Sequence, residues 1–189
     1  MNTYTVLLDA NILYPAPMRD IFMQLALTNL FKVRWTKDIH QEWINALVRN
    51  QPDRQRADLE RTRDLMNQSI RDCLIEGYES LIRALELPDI DDRHVLAAAI
   101  VGRCDLIITQ NLKDFPADIL AHYGLEAQHP DVFLLYHLKF ASDIFCSAVR
   151  KVRLRLKNPP FTVDEYLQTL QRQGLVTTAQ ELESFTNMI

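Results

Sequence analysis

Cysteine is scarce in this chain, and the three residues present are scattered. Cys73, Cys104 and Cys146 lie far apart, and no two have the spacing of a zinc site. An odd, dispersed set excludes a disulfide framework and reads as reduced core thiols in a cytoplasmic protein. Long apolar runs are also missing. None approaches the roughly 20 residues that span a bilayer, so no membrane segment is expected. The N-terminus has no basic segment followed by an apolar run, so no signal peptide is expected. Neither GxxxxGK[ST] nor GxGxxG occurs, which leaves a phosphate cradle or dinucleotide site unsupported. GxSxG is absent as well, and no cysteine has an obvious partner base. There is no internal repeat and no low-complexity segment. A net charge of −4 argues against a general basic coat for nucleic acid, though it leaves room for a local basic groove around an acidic site.

What is present suffices for one ordinary domain with an appendage: 189 residues, 48% of them apolar. The organising stretch is residues 87–116, LPDIDDRHVLAAAIVGRCDLIITQNLKDFP. Pro88 and the acids Asp89, Asp91 and Asp92 precede an apolar block that Gly102 closes, the start and stop signals of a helix. Asp89 fits as the N-cap, and Asp91 suits the positive end of the helix dipole. Asp92 would share a helical face with the apolar Leu96 and Ala99. A carboxylate aimed along a buried face must be paired, protonated or bound to a cation. The plainer reading is a first-turn acid that satisfies backbone N–H groups.

Through residue 127, strand and helix patterns alternate. Strands are expected at 4–8, 33–35, 106–108 and 125–127, with helices at 18–30, 37–48, 54–74, 78–85 and 117–123. This is the pattern of a parallel α/β sheet, whose sites form in the crevice beyond the carboxyl ends of the strands. Asp9 follows the first strand directly. Thr109 ends a later strand, with Asn111 just behind it. Glu42 and Asp92 sit near the starts of helices that neighbour strands. Such a sheet can gather all of them. Converging carboxylates repel one another unless cations neutralise them, and oxygen-only ligands suit Mg²⁺ or Mn²⁺. A site of that kind activates water and stabilises charge developing on a phosphodiester.

LLDANIL near the start, QEWINAL around Glu42, DIDDRHVLAAAI and LIITQNLKDF, in that order, resemble a PIN domain, the fold of VapC-type toxin ribonucleases. The resemblance covers residues 3–127. It implies an α/β, PIN-like three-layer fold, a parallel sheet flanked by helices, with a C-terminal helical extension. The nuclease domain would be residues 1–129 and the extension 130–189. The implied activity is Mg²⁺- or Mn²⁺-dependent endoribonuclease cleavage. RNA is the implied substrate, and an antitoxin protein and a second copy of the chain are candidate partners. Asp9, Glu42 and Asp92 match the first three family acids. The fourth place, just after the strand that ends in threonine, holds Asn111, with Asp114 three residues on. The metal set implied is therefore Asp9, Glu42, Asp92 and Asp114, and the catalytic set Asp9, Glu42, Asp92 and Asn111. The departure at Asn111 leaves an alternative, a catalytically weak PIN-like module that binds RNA or protein.

Each residue alone also has an ordinary role. Asp9 can cap the next turn, Asn11 can support it, and Glu42 is an unremarkable helix acid. Thr109 either hydrogen-bonds a neighbouring acid or simply suits a strand end. His94 reads as a packed or surface histidine rather than a general base. The ordered constellation carries the reading, not any member. Beyond Pro130, residues 131–157 read as one long helix ending in RKVRLRLK. Its cations Arg150, Lys151, Arg153, Arg155 and Lys157 suit either RNA phosphates or the helix dipole, with the dipole favoured. After Asn158-Pro159-Pro160, capping boxes at Thr162–Glu165 and Thr178–Glu181 are expected to open two short helices.

Overall fold

The structure, a computed structural model, describes residues 3–189. Along the chain run β1 (Thr5–Leu8), α1 (Ala10–Leu13), α2 (Ala16–Ala26), β2 (Lys32–Arg34), α3 (Lys37–Asn50), α4 (Arg56–Ser69), α5 (Glu79–Ile82), α6 (Arg93–Val101), β3 (Leu106–Ile108), α7 (Ala117–Ala121) and β4 (Glu126–Gln128). The helices α8 (Pro130–Phe140), α9 (Ser142–Arg155), α10 (Val163–Arg172) and α11 (Val176–Leu182) follow. The chain forms two compact units. One comprises the residues up to Tyr14 with Phe31–His129, and the other Pro15–Leu30 with Pro130–Ile189.

The first unit is built on a parallel sheet of order β2-β1-β3-β4. β1 and β3 are the inner strands, and Val6, Leu7, Leu8, Ile107 and Ile108 are all fully buried, as strands covered on both faces require. β1 pairs with β2 on one side and β3 on the other, so the chain reverses its direction of travel there. A topological switch point lies between β1 and β3, where open α/β sheets form their crevice.

α6 packs on β1 and β3 with Val95, Leu96, Ala97, Ala98 and Ala99 buried, which explains its apolar circumference. It begins later than its sequence signals imply. Asp89 is not the N-cap; its Oδ1 instead accepts the N–H of Asp91 at 2.9 Å in a turn ahead of the helix. Asp92 occupies the N-cap position, so it lies before the face that carries Leu96 and Ala99. At the other end Gly102 has φ −73°, and Arg103 takes the left-handed conformation at φ 48°. Glycine is needed at 102 for space: a Cβ there would stand 2.4 Å from Ile75 Cδ1 and 2.9 Å from the Ala98 carbonyl oxygen.

α3 opens on Thr36, whose hydroxyl accepts the Ile39 N–H at 3.0 Å. Its buried stripe is Ile39, His40, Trp43, Ile44 and Leu47. His40 Nδ1 accepts from Trp43 Nε1 at 2.9 Å, and its Nε2 faces Asn67 Oδ1 at 3.1 Å, which ties α3 to α4. The helix expected over 54–74 stops at Ser69. Leu74 instead bridges to Trp35, and the Trp35 N–H and C=O both bond to that extended segment.

In the second unit the single helix expected over 131–157 is two, α8 and α9, broken at Ala141 (φ −144°, ψ 60°). The break lets the apolar faces of both helices pack against each other, with Phe133, Leu134, Leu138, Phe145, Cys146 and Val149 buried. α2 joins this core, and Phe22 stacks on Phe133 at 6.1 Å. The capping box at Thr162 and Glu165 forms. The one expected at Thr178 does not. α11 starts at Val176, and the buried Asp131 carboxylate of α8 takes the Thr177 and Thr178 N–H groups at 2.9 and 2.8 Å. A carboxylate from another helix has replaced the local hydroxyl as the cap. Of the basic stretch, Arg153 donates to the Phe161 and Ile189 carbonyls and Arg155 to Gln24. Those two cations serve the fold of this unit. The three cysteines are free and buried.

Candidate active site

Two adjacent strand ends place the first acid. The Asp9 N–H bonds the Ile108 carbonyl at 3.1 Å, which sets Asp9 at the carboxyl end of β1 beside β3. The side chain is 6% exposed. Three donors fix its carboxylate. The Ala10 N–H meets Oδ1 at 2.6 Å, while the Asn11 amide and the Thr109 hydroxyl meet Oδ2 at 2.5 and 2.7 Å. The Asn11 amide also lies 2.9 Å from Thr109 Oγ1, and its carbonyl accepts the Gln110 N–H at 3.1 Å. Asp9 thus caps α1, the ordinary role, and is also oriented by a network that spans two strands. Burial raises its pKa, the Thr109 and Ala10 hydrogen bonds oppose that, and the charge of Glu42 adds to the rise.

Glu42 projects from α3 with its side chain 44% exposed. His94, in the first turn of α6 and 11% exposed, brings Nε2 to 2.7 Å from Glu42 Oε1. At that distance the two form an ion pair whenever His94 is protonated. Burial pushes the His94 pKa down, but Glu42, with Asp38 and Asp9 behind it, pushes it up and wins.

Asp92, Asp89 and Asp114 form the tightest acid group among the described residues, with one carboxylate oxygen from each within 4.8 Å of the others. Asp92 feels more than its two neighbours. Burial raises its pKa first, then the charges of Asp9, Asp89, Asp114 and Glu42, to about 7. Asp114 ends a short 3₁₀ turn, Leu112–Asp114, and accepts a hydrogen bond from the Asn111 amide. Asn111 in turn gives its N–H to Thr109 Oγ1 at 3.0 Å. Asn111 therefore orients Asp114 and is itself held by the threonine that holds Asp9.

The structure thus brings Asp92 and Asp114 together and couples Asp9 and Glu42 to Asp92 by charge, with both outside the 4.8 Å group. Asn111 adjoins the cluster through Asp114. Two participants were given other roles from sequence. Asp89 read as a cap, although its spacing to Asp92 within PDIDD is a usable signal. His94 read as packing, although it stands two residues from Asp92. A divalent cation fits the donor set. The oxygens are hard, and Asp9 and Glu42 add to the negative charge around Asp92, while the charge of His94 acts against that of Asp9.

A parallel sheet with carboxylates gathered at its switch point defines an α/β fold with an acidic crevice. Residues 5–113 match the PIN domain family, and the chain belongs to it. Residues 130–184 match the family described as the VapC50 C-terminal domain. The chain is also similar to the Mycobacterium tuberculosis (strain ATCC 25618 / H37Rv) protein named "Putative ribonuclease VapC50". The two are 43% identical over 101 residues, which cover 51% of this chain and 57% of that protein. The match thus spans little more than half of the relative's length. No solved structure matches the chain.

Proposed function

We propose that this chain is a Mg²⁺- or Mn²⁺-dependent endoribonuclease, the toxin half of a toxin–antitoxin pair. The observation that carries the reading is Asp92, held at the switch-point crevice among Asp9, Glu42, Asp89 and Asp114 with its pKa raised to about 7. Likeness to a relative named as a ribonuclease supports RNA as the substrate. In this reading Asp9, Glu42, Asp92 and Asp114 hold the cation, and Asp89 adds charge beside them. When bound, the cation polarises the attacking water and offsets charge on the scissile phosphate. Asn11 and Thr109 hold Asp9 Oδ2 and the Ala10 N–H holds Oδ1, so no reorganisation is needed when substrate arrives. Asn111 fixes Asp114 through its side-chain amide. Residues 1–129 carry the nuclease and 130–189 the extension, whose core borrows α2. An antitoxin protein and a second copy are the proposed partners, and the cytoplasm the proposed compartment. No helix among the described residues is long and apolar enough to cross a membrane.

The test is incubation with a broad pool of single-stranded and structured RNAs in Mn²⁺. Cleavage is expected to leave 5′-phosphate ends and to stop with excess EDTA. Metal-independent cutting that a serine or cysteine reagent blocks would sink the mechanism. The neutral Asn111 favours a second reading, a module that binds RNA or protein with little catalysis. Retention of the RNA pool without cleavage at any Mn²⁺ concentration would select it.

A further inference from the structure

We infer that His94 is the positioning residue for Glu42, an inference that rests on the nuclease reading above. Glu42 has a long, flexible side chain, 44% exposed and free to turn into water. The Asp9 and Asp92 carboxyls lie in the same region, and negative charge on either acts against that of Glu42. Repulsion from them would drive Glu42 outward. Its close partner among the described residues is His94, at 2.7 Å. The imidazole is 11% exposed, and its Nδ1 is buried without a hydrogen-bond partner among the described residues. Among the described residues, packing therefore fixes the ring, and its close polar contact goes to Glu42. Burial of a ring nitrogen without a partner costs stability, which a merely space-filling side chain such as leucine would avoid. The position of His94 adds to the argument. It stands two residues after Asp92 at the start of α6, a helix packed on β1 and β3. One rigid element thus delivers Asp92 directly and Glu42 through His94. Outer groups of this kind orient metal-holding side chains without touching the metal.

The test uses the full chain and Mn²⁺ alone, titrated by electron paramagnetic resonance without RNA. His94→Leu is expected to weaken Mn²⁺ binding on the order of ten-fold, as Glu42→Gln does. The double variant should bind no more weakly than Glu42→Gln, because both changes remove the same contact. His94→Gln retains an N–H donor and should recover most of the loss. If His94→Leu fails to fold, as circular dichroism would show, His94→Met carries the same comparison. Unchanged or tighter Mn²⁺ binding by the apolar variant, losses that multiply in the double variant, or no recovery with glutamine would each overturn the inference. A metal-free crystal structure of the apolar variant decides separately. A Glu42 carboxylate turned out to solvent supports the role, and one left in place overturns it. Should the wild-type chain neither bind Mn²⁺ nor cut RNA, the nuclease reading falls, and that crystal structure still decides the role of His94.

Discussion

Asp92→Asn should leave the metal-free protein more stable at pH 8 and less able to gain from metal. In the wild-type fold Asp92 is pushed from an ordinary 3.8 to about 7, by burial first and then by the charges of Asp9, Asp89, Asp114 and Glu42. The folded state therefore holds a proton between those values that the unfolded chain has released. Stability then falls as pH rises through that window. Taken whole, the rise from 3.8 to about 7 is worth about 4 kcal/mol. Asp92 is only half-buried, and solvent screening brings this to about 1–2 kcal/mol. Asparagine carries no charge, so the variant should gain that amount at pH 8, a rise of about 2–8 °C in Tm for a chain of this length. At pH 5 the carboxyl is protonated in the fold but already ionised in the unfolded chain, so the gap should shrink to roughly a third of its size at pH 8 and close only below 3.8. The cap costs nothing to change. Asp92 holds the N-cap position of α6 without a side-chain cap bond, and asparagine is an equally good N-cap. With Mn²⁺ at about 100 times its Kd, the wild-type protein should gain about 2.7 kcal/mol and the variant less, which reverses the order. The assay is scanning calorimetry of both proteins at pH 5 and 8, in EDTA and in Mn²⁺. A variant less stable than wild type in EDTA at pH 8, or a gap independent of pH, would refute the reasoning.

Asp131→Ala should cost about 2 kcal/mol, read by urea denaturation, because it frees the first N–H groups of α11 in a buried place. Burial pushes Asp131 up, but its hydrogen bonds to Thr177 and Thr178 hold it low, so this stability is present above the ordinary carboxylate pKa and is lost as pH falls through the lowered value. Gly102→Ala should cost about 1–3 kcal/mol through collision with Ile75 and the Ala98 carbonyl, and adding Ile75→Val, which removes the nearest atom, should recover part of it. Asp114→Asn should shift the Mn²⁺ dependence of cleavage strongly and Asn111→Ala more mildly; an unchanged curve for Asp114→Asn would remove Asp114 from the site.

Much of the first unit is local information. YTVLL stopping at Asp9 and LIIT stopping at Thr109 mark two strand ends, and the parallel topology then makes them neighbours. Residue pattern also located α3 to within a few residues. The misreadings share one cause, a partner distant in sequence. Thr178 has a local capping box available, but Asp131 lies 47 residues away and reaches its N–H at 2.8 Å. Residues 131–157 have a continuous helical pattern, and only the mutual packing of α8 and α9 shows why the chain turns at Ala141. Asp89 carries every sign of an N-cap, yet the helix begins at Arg93 and leaves it facing Asp92 and Asp114.

That last displacement bears on the chemistry. With Asn111 in the place of the fourth family acid, the sequence leaves the crevice one negative charge short. The fold offers two sources for it. Asp114 comes in at the end of a short turn, steered by the Asn111 amide, and Asp89 comes in because α6 starts three residues later than Pro88 and Asp89 suggest. On the proposed reading, the neutral side chain at 111 is a means of placing charge rather than a loss of it. An asparagine can donate to a carboxylate, which an ionised aspartate at the same position cannot do. An aspartate at 111 would repel Asp114 and compete for the same space. Asn111→Asp is therefore expected to weaken Mn²⁺ binding even though it restores the family residue, and tighter binding in that variant would show that charge at 111, not the placement of Asp114, is what the site needs.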